Sequence, residues 1–132
     1  MWVCEDAGNY KVKSTVKNYK DMLVWQKGVE IADATYSLTK NFPTDERFGL
    51  SQQMHRSAVS VPSNIAEGFC RQHTKEYVQF CHIALGSCAE LETQLLIAKR
   101  RGFVEEDKFV FLQDLIDHES KMLMNLIRSL QD

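Results

Sequence analysis

Apolar residues recur at alternating intervals of three and four along four segments of the chain, the pattern of an α-helix with one buried face. The first segment runs from about Tyr19 to Asn41. Phe42-Pro43 ends it, because the residue before a proline is pushed out of the α region. The inward stripe predicted for this helix consists of Met22, Trp25, Val29, Ala32, Tyr36 and Thr39.

The second segment begins shortly after that proline. Thr44 is predicted to cap its N-terminus, and Asp45 and Glu46 supply the acids that suit the first turn of a helix. Pro62 lies inside the segment and removes one backbone hydrogen bond, but the apolar stripe keeps its phase through it, so we predict a kink rather than a break. This stripe consists of Leu50, Met54, Ala58, Val61, Ile65 and Phe69.

Two longer periodic segments follow. We expect Thr74 to cap the third helix, Gly102 to supply the left-handed residue beyond its end, and the fourth helix to begin near Val104. The third stripe keeps heptad spacing through Tyr77, Cys81, Ala84, Cys88, Leu91, Leu95 and Ala98. The fourth carries Phe109, Leu112, Ile116, Leu123, Ile127 and Leu130 inward.

The short connections between these segments predict an all-α fold, an antiparallel up-and-down four-helix bundle, with helix two kinked near Pro62. We assign residues 19–132 to the bundle domain and residues 1–18 to an N-terminal arm that we expect to be flexible. Small residues are frequent on helices two and three. Gly86 in mid-helix costs about 1 kcal/mol against alanine, so we predict a tightly packed pair with another backbone near Gly86.

Composition narrows the function classes. The 132 residues are 44% hydrophobic, and their net charge of -2 gives no basic field over the whole domain, so any basic surface must be local. A secretion signal and a stretch of about 20 apolar residues are both missing from the sequence, which predicts a cytoplasmic protein with no membrane partner. The four cysteines are therefore expected to be reduced thiols.

Motifs for catalysis or cofactor binding are missing from the sequence: it contains no glycine-rich phosphate loop, no G-x-S-x-G and no H-E-x-x-H. None of the histidines follows a glutamate by three positions, as the metal-binding pairs of four-helix bundles do. Cys70 and His73 form a C-x-x-H, but a structural zinc site needs four well-spaced ligands. We predict a protein that is not an enzyme, with no catalytic residue, no metal site and no cofactor.

Four polar residues lie next to the apolar stripes of the inner helices: Asn64, Glu67, Glu90 and Gln94. A polar group that reaches a bundle seam must find hydrogen-bond partners there. We interpret the four as a structural polar network that holds the register of the helices. Contact with a ligand or a partner protein is the alternative.

The stretch SQQMHRSAVSVPSNIAEGFCR, residues 51–71, resembles a bacterial family of four-helix bundle proteins encoded in intervening sequences of 23S ribosomal RNA genes. YKDMLVWQKG from Tyr19, LTKNFPTDERFGL from Leu38 and KEYVQFCHIALGSCAELETQLLIAKRRG from Lys75 agree with it, so the resemblance extends from about Tyr19 to Leu130. It implies a bundle that assembles into a homopentamer. The family is distantly like the accessory, or variability determinant, proteins of diversity-generating retroelements, which implies nucleic acid and a reverse transcriptase as partners.

The chain departs from the family pattern beside Arg56. His55 stands where the family usually has a second basic residue, and Ser57 stands where it has an alanine. The loss of one arginine-like position weakens the expectation of strong RNA binding.

Our leading hypothesis is a homo-oligomer, pentameric by the resemblance, that contacts RNA or DNA through basic residues repeated around a ring. The candidate positions, besides the lysines of the N-terminal arm, are Arg56, Arg71, Lys75, Lys99, Arg100 and Arg101. The alternative is a protein-interaction scaffold, in which these residues only solvate the surface and the exposed parts of Trp25, Tyr36 or Phe103 contact a partner. Clustering of the basic residues would favour the first hypothesis, and scattering would favour the second.

Overall fold

A computed structural model describes residues 16–132, and those residues form four α-helices and two short 3-10 helices. The α-helices are α1 (Leu23–Thr39), α2 (Leu50–Phe69), α3 (Thr74–Arg100) and α4 (Glu106–Gln131), and the 3-10 helices are Tyr19–Asp21 and Thr44–Glu46. Each α-helix packs on the next along the chain and α4 packs back on α1, which closes an antiparallel bundle. The predicted fold class is confirmed.

The boundary predicted for the N-terminal arm falls close to the first described residues. Residues 1–15 of that arm lie outside the described part of the chain. Val16 packs against the bundle core, and the side chain of Asn18 accepts a hydrogen bond from the backbone N–H of Lys20 at 3.0 Å. Residues that the prediction assigned to the arm therefore already contact the bundle.

Most of the core is the one that periodicity predicts. All seven stripe residues of α3 are buried, and α2 continues through Pro62, with Pro62 itself buried. On α2 and α4, the predicted stripe residues are buried apart from Leu50 and Phe109, which are half-buried and pack against the core. The three-and-four spacing of apolar residues is sufficient to predict the buried faces of these helices.

Helix α1 corrects the prediction, because it buries a different stripe from the one expected. Its buried residues are Val24, Gly28, Ile31, Thr35, Leu38 and Thr39. Met22 and Thr39 of the predicted stripe are buried, whereas Trp25, Val29 and Ala32 are only half-buried and Tyr36 is exposed. The two stripes lie side by side on α1, and the predicted one is displaced toward α2, where Tyr36 meets His55.

Three predicted helix starts are also corrected. Thr44 begins a separate 3-10 helix, and α2 starts six residues later at Leu50. Thr74 is already the first residue of α3, and α4 begins at Glu106 rather than near Val104. Gly102 after α3 has a φ of +80°, so the predicted left-handed residue is confirmed.

The cysteines differ in their state. Cys81 and Cys88 are buried thiols in the core and are not disulfide-bonded, in agreement with the expectation of reduced cysteines. Cys70, at the end of α2, is disulfide-bonded, so that expectation is wrong for this residue.

Close packing of α2 on α3 depends on Gly68 rather than on Gly86. A Cβ atom on Gly68 would lie 2.7 Å from the Cβ of Phe80 and 3.0 Å from a ring carbon of Tyr77. The predicted close approach at Gly86 is wrong, because a Cβ there would have no neighbouring atom within 4 Å. Gly86 instead lies exposed on the outer side of α3.

Glu119 of α4 is a carboxylic acid in the centre of the core, and the sequence reading did not identify it. Its side chain is 0% exposed, and neither carboxyl oxygen has a hydrogen-bond partner among the described residues. One of these oxygens lies 3.1 Å from where a Cβ on Gly28 would be, and Pro62 lies 3.2 Å from the same point. The carboxyl group therefore occupies the space that glycine leaves beside the proline. Burial raises the pKa of Glu119 to about 8, against the opposing charge of Lys27.

We expect Gly68→Ala to lower the free energy of unfolding by about 1 to 3 kcal/mol, because the new methyl group overlaps Phe80 and Tyr77. Urea denaturation at neutral pH measures this. Gly86→Ala is the matched control, and it should leave the stability of the monomer unchanged or raise it by up to about 1 kcal/mol. Equal effects of the two substitutions would contradict the packing described for α2 and α3.

We expect stability to fall with rising pH because of Glu119. The folded state favours the protonated acid, whereas the unfolded chain ionises near the ordinary value of 4.5. The free energy of unfolding therefore contains the full contribution of the protonated acid below about pH 4.5. Between about pH 4.5 and pH 8 it falls by roughly 1.4 kcal/mol per pH unit. Glu119→Gln should remove this slope. Urea titrations at pH 5, 6.5 and 8 should give curves for the two proteins that converge at pH 5 and diverge at pH 8; parallel pH profiles would show that Glu119 ionises normally.

Candidate nucleic-acid interface

The structure places the predicted basic residues in three separate regions. Arg71 and Lys75 lie at the turn between α2 and α3, at one end of the bundle. Arg56 lies on α2, between the two ends, and its side chain is exposed. The remaining three, Lys99, Arg100 and Arg101, lie at the C-terminus of α3, at the opposite end.

Helix α3 sets the distance between the two end clusters. Lys75 and Arg100 are separated by nearly its whole length, about 37 Å at 1.5 Å per residue. This span exceeds the Debye length of roughly 8 Å at physiological salt, so the two clusters act as separate charges. One molecule therefore does not present the six residues as a single basic patch.

Two of the six basic residues are held by neighbouring side chains. Arg71 forms an ion pair with Glu67 at 3.5 Å, and its guanidinium lies 4.8 Å from the centre of the Phe80 ring. Lys99 forms an ion pair with Glu106 at 2.9 Å and lies 5.4 Å from the centre of the Phe109 ring. The other four, Arg56, Lys75, Arg100 and Arg101, are exposed and form no ion pair with a described residue.

The four polar residues predicted as a network lie in different surroundings. The amide of Asn64 donates to the carbonyl and hydroxyl oxygens of Ser60, both at 2.8 Å. The hydroxyl of Ser87 on α3 also donates to the Ser60 hydroxyl at 2.8 Å, which joins the two helices.

The other three predicted network residues make no such link between helices. Glu67 is paired with Arg71 of the turn that directly follows its helix. Glu90 is exposed, and the buried side-chain oxygen of Gln94 has no hydrogen-bond partner among the described residues. The observed polar link between α2 and α3 is therefore made by Asn64, Ser60 and Ser87, and the sequence reading had counted the two serines only as small residues.

A stacked pair of rings lies on the groove between α1 and α2. The Tyr36 ring packs on the His55 imidazole with centroids 3.9 Å apart and planes 19° apart. The Thr39 hydroxyl donates to the Tyr36 carbonyl at 3.2 Å and lies 2.7 Å from the His55 Nε2 atom. The 2.7 Å contact is a hydrogen bond between the two side chains whose donor is set by the tautomer of His55. Partial burial lowers the pKa of His55, which favours the neutral ring.

Two open depressions flank this ring pair, and both are bordered by basic residues. One is lined by Arg56, Gln52, Val59 and Ser60 together with the two rings. Lys40 and Arg47 are among the residues that line the other, again with the two rings. Neither lining contains a carboxylate among the described residues. Lys40 and Arg47, like Arg56, form no ion pair with a described residue.

The sequence predicts only part of this cluster. Arg56 is a candidate because of its charge, His55 is a departure from the family, and Tyr36 is a contact in the scaffold alternative. Lys40 and Arg47 were missed because they are isolated in sequence and are brought to Arg56 only by the antiparallel packing of α1 on α2. The sequence does contain an indication of these two residues, because they flank Phe42 and Pro43 in the predicted turn between the helices.

The outer side of α3 is a second unusual surface. Ten residues of α3 between Gln79 and Ile97 are exposed, and only Glu90 and Glu92 among them are charged. On α4, by contrast, seven of the fourteen exposed residues are charged. The exposed positions of α3 include Ile83, Leu96 and Ile97, beside the small residues Gly86 and Ala89. Five of these ten residues are polar and five are apolar or glycine, so the face is low in charge and mixed in polarity.

Residues 16–132 contain no group of three or more histidine, cysteine, aspartate or glutamate side chains placed to hold a metal ion. Among those residues no helix combines the length and hydrophobicity required to span a bilayer.

Comparison with known proteins agrees with the fold. The chain is similar to a crystal structure of a protein of unknown function from the S23 ribosomal protein family of Bacteroides thetaiotaomicron, with 24% sequence identity and a TM-score of 0.73, over 80% of this chain and 98% of that one. At this identity the likeness bears on the fold alone. No curated protein matches the chain.

Residues 20–125 match the model of the 23S rRNA-intervening sequence protein family. The chain therefore belongs to the family of 23S rRNA-intervening sequence proteins.

Proposed function

We propose that this protein is a non-enzymatic, homo-oligomeric helical module that contacts nucleic acid through basic side chains repeated on each copy. The observation that carries the proposal is the outer side of α3, which is low in charge, with Ile83, Leu96 and Ile97 exposed around Gly86. Exposed large apolar residues on an almost uncharged helix face are costly in a monomer and typical of an interface. A pentamer is the number that the family resemblance implies.

Assembly through α3 would leave the groove between α1 and α2 accessible, because that groove lies on the other side of α2. Each copy would then present its unpaired cations to a common ligand. When one subunit of a ring has bound a polyanion, the other subunits are held near it at a high effective concentration, so weak contacts combine into tighter overall binding. A chain with a net charge of -2 can therefore still bind a polyanion.

The basic end of the bundle supports contact with nucleic acid there. The turns that follow α1 and α3 lie at the same end, where the Phe42 and Phe103 rings pack with centroids 5.5 Å apart. Arg100, Arg101, Lys40 and Arg47 all belong to this end, and none forms an ion pair with a described residue. Acids lie at this end as well, Asp45 and Glu46 before α2 and Glu106 and Asp107 in the first turn of α4, so the cations form local patches there.

A protein-interaction scaffold is the second candidate, and two observations favour it. The six predicted basic residues are spread over both ends of the bundle rather than clustered, and the α3 face would suit a different protein as well as a second copy. A reverse transcriptase as that partner stays a prediction from the distant likeness to retroelement accessory proteins. A cytoplasmic location also stays a prediction.

We expect the purified protein to have a mass several times that of one chain in light scattering coupled to size exclusion. Ile83→Glu combined with Ile97→Glu should reduce this mass toward that of the monomer, because the substitutions place charges on the α3 face. Val110→Glu is the control: Val110 on α4 is 46% exposed, close to Ile83 at 45% and Ile97 at 47%. A wild-type monomer at micromolar concentration would refute assembly.

We expect fluorescently labelled RNA and DNA to bind the protein with an affinity that falls linearly in log salt. Arg100→Glu combined with Arg101→Glu should weaken binding more than Arg71→Glu combined with Lys75→Glu, because Arg71 is already paired with Glu67. Fluorescence anisotropy from 50 to 300 mM salt, a range on the order of physiological ionic strength, measures both. The absence of any binding at the lowest salt would leave the scaffold as the function to pursue.

A further inference from the structure

The Tyr36–His55 ring pair has a geometry suited to a stacking partner. His55 covers one face of the Tyr36 ring, at 3.9 Å between centroids, and the tyrosine remains 45% exposed to solvent. His55 is itself fixed by its hydrogen bond to Thr39 at 2.7 Å. The ring is therefore held by neighbours on two helices, so a ligand that stacks on it loses little additional side-chain freedom.

The cations and aromatic side chains around the Tyr36 ring suit a polyanion that also carries flat groups. Arg56 lies on one side of the ring pair, and Lys40 and Arg47 lie on the other, in linings without a carboxylate among the described residues. Arg47 also lies over the ring of Phe48, 5.5 Å from its centre, and Phe48 is 81% exposed. Aromatic rings interleaved with cations are the arrangement that binds the bases and phosphates of single strands.

A duplex fits this surface less well. Its bases are stacked on one another and their faces are hidden, so it can offer phosphates to Arg56, Lys40 and Arg47 but no face to Tyr36. An acidic peptide could satisfy the cations but would leave the exposed rings without a stacking partner. An unpaired strand uses both components of the surface.

We propose that the groove between α1 and α2 is a binding site for single-stranded nucleic acid, in which a base stacks on Tyr36 and the adjacent phosphates contact Arg56, Lys40 and Arg47. This inference rests on the proposed function and specifies its ligand. Tyr36 is the stacking residue, and His55 positions it.

The test uses the full-length protein and a fluorescein-labelled 20-nucleotide RNA designed to remain unpaired, with the duplex of the same sequence as the comparison ligand. Wild type should bind the single strand more tightly than the duplex. Tyr36→Ala should weaken single-strand binding at least about fivefold, whereas Tyr36→Phe, which keeps the ring, should stay within about twofold of wild type. Circular dichroism confirms that each variant is folded.

Salt dependence separates stacking from charge. Tyr36→Ala removes no charge, so the slope of log affinity against log salt should remain that of wild type. Arg56→Gln should reduce this slope by about 0.7, the value for one phosphate contact on a single strand. Arg71→Gln combined with Lys75→Gln, at the opposite end of the bundle, is the control and should change the affinity less than Arg56→Gln does. A 2-aminopurine in the strand should lose fluorescence on binding wild type and retain it with Tyr36→Ala.

The outcomes distinguish this inference from the function on which it rests. If wild type binds nucleic acid but Tyr36→Ala binds as tightly, or if the duplex binds more tightly than the single strand, the site is wrong and the proposed function stands. If wild type binds neither ligand at the lowest salt, both are wrong.

Discussion

The close packing of α2 on α3 is the constraint on which the rest of the structure depends. Gly68 lets the turn between them approach Phe80 and Tyr77, and the Ser87–Ser60 hydrogen bond joins the two helices farther along. With this pair fixed, α1 and α4 pack on its outer edges and meet each other through Gly28 and Glu119. The groove that carries Tyr36 and the exposed face of α3 both result from this packing of α1 and α4 on the α2–α3 pair.

Periodicity predicted the two inner helices well and α1 less well, for a physical reason. The predicted stripe of α3 keeps strict heptad spacing along most of the helix, so one reading of its buried face is favoured. On α1, two apolar stripes lie side by side, and sequence alone cannot tell which one faces the core. The packing of α4 on α1, where Glu119 lies against Gly28, decides it, and Tyr36 is left at the surface.

The candidate site was only partly predictable, because it is assembled from residues that share no motif. Arg56 was found by its charge, but Lys40 and Arg47 join it only when two helices run antiparallel. Glu119 was not predictable either, since a glutamate within an apolar stripe is usually taken as its polar edge. Its burial depends on the space beside Gly28 and Pro62, which are distant in sequence.

We propose separate roles for two outer surfaces: association for the α3 face, which carries few charges, and polyanion binding for the aromatic and basic groove between α1 and α2. The most direct measurement is photo-cross-linking of a 4-thiouridine-containing single strand to the purified protein, with the adducts located by peptide mass spectrometry. The account predicts adducts on Tyr36 and on the neighbouring peptides of α1 and α2. Adducts confined to the outer face of α3, or to the turn that carries Arg71 and Lys75, would contradict it.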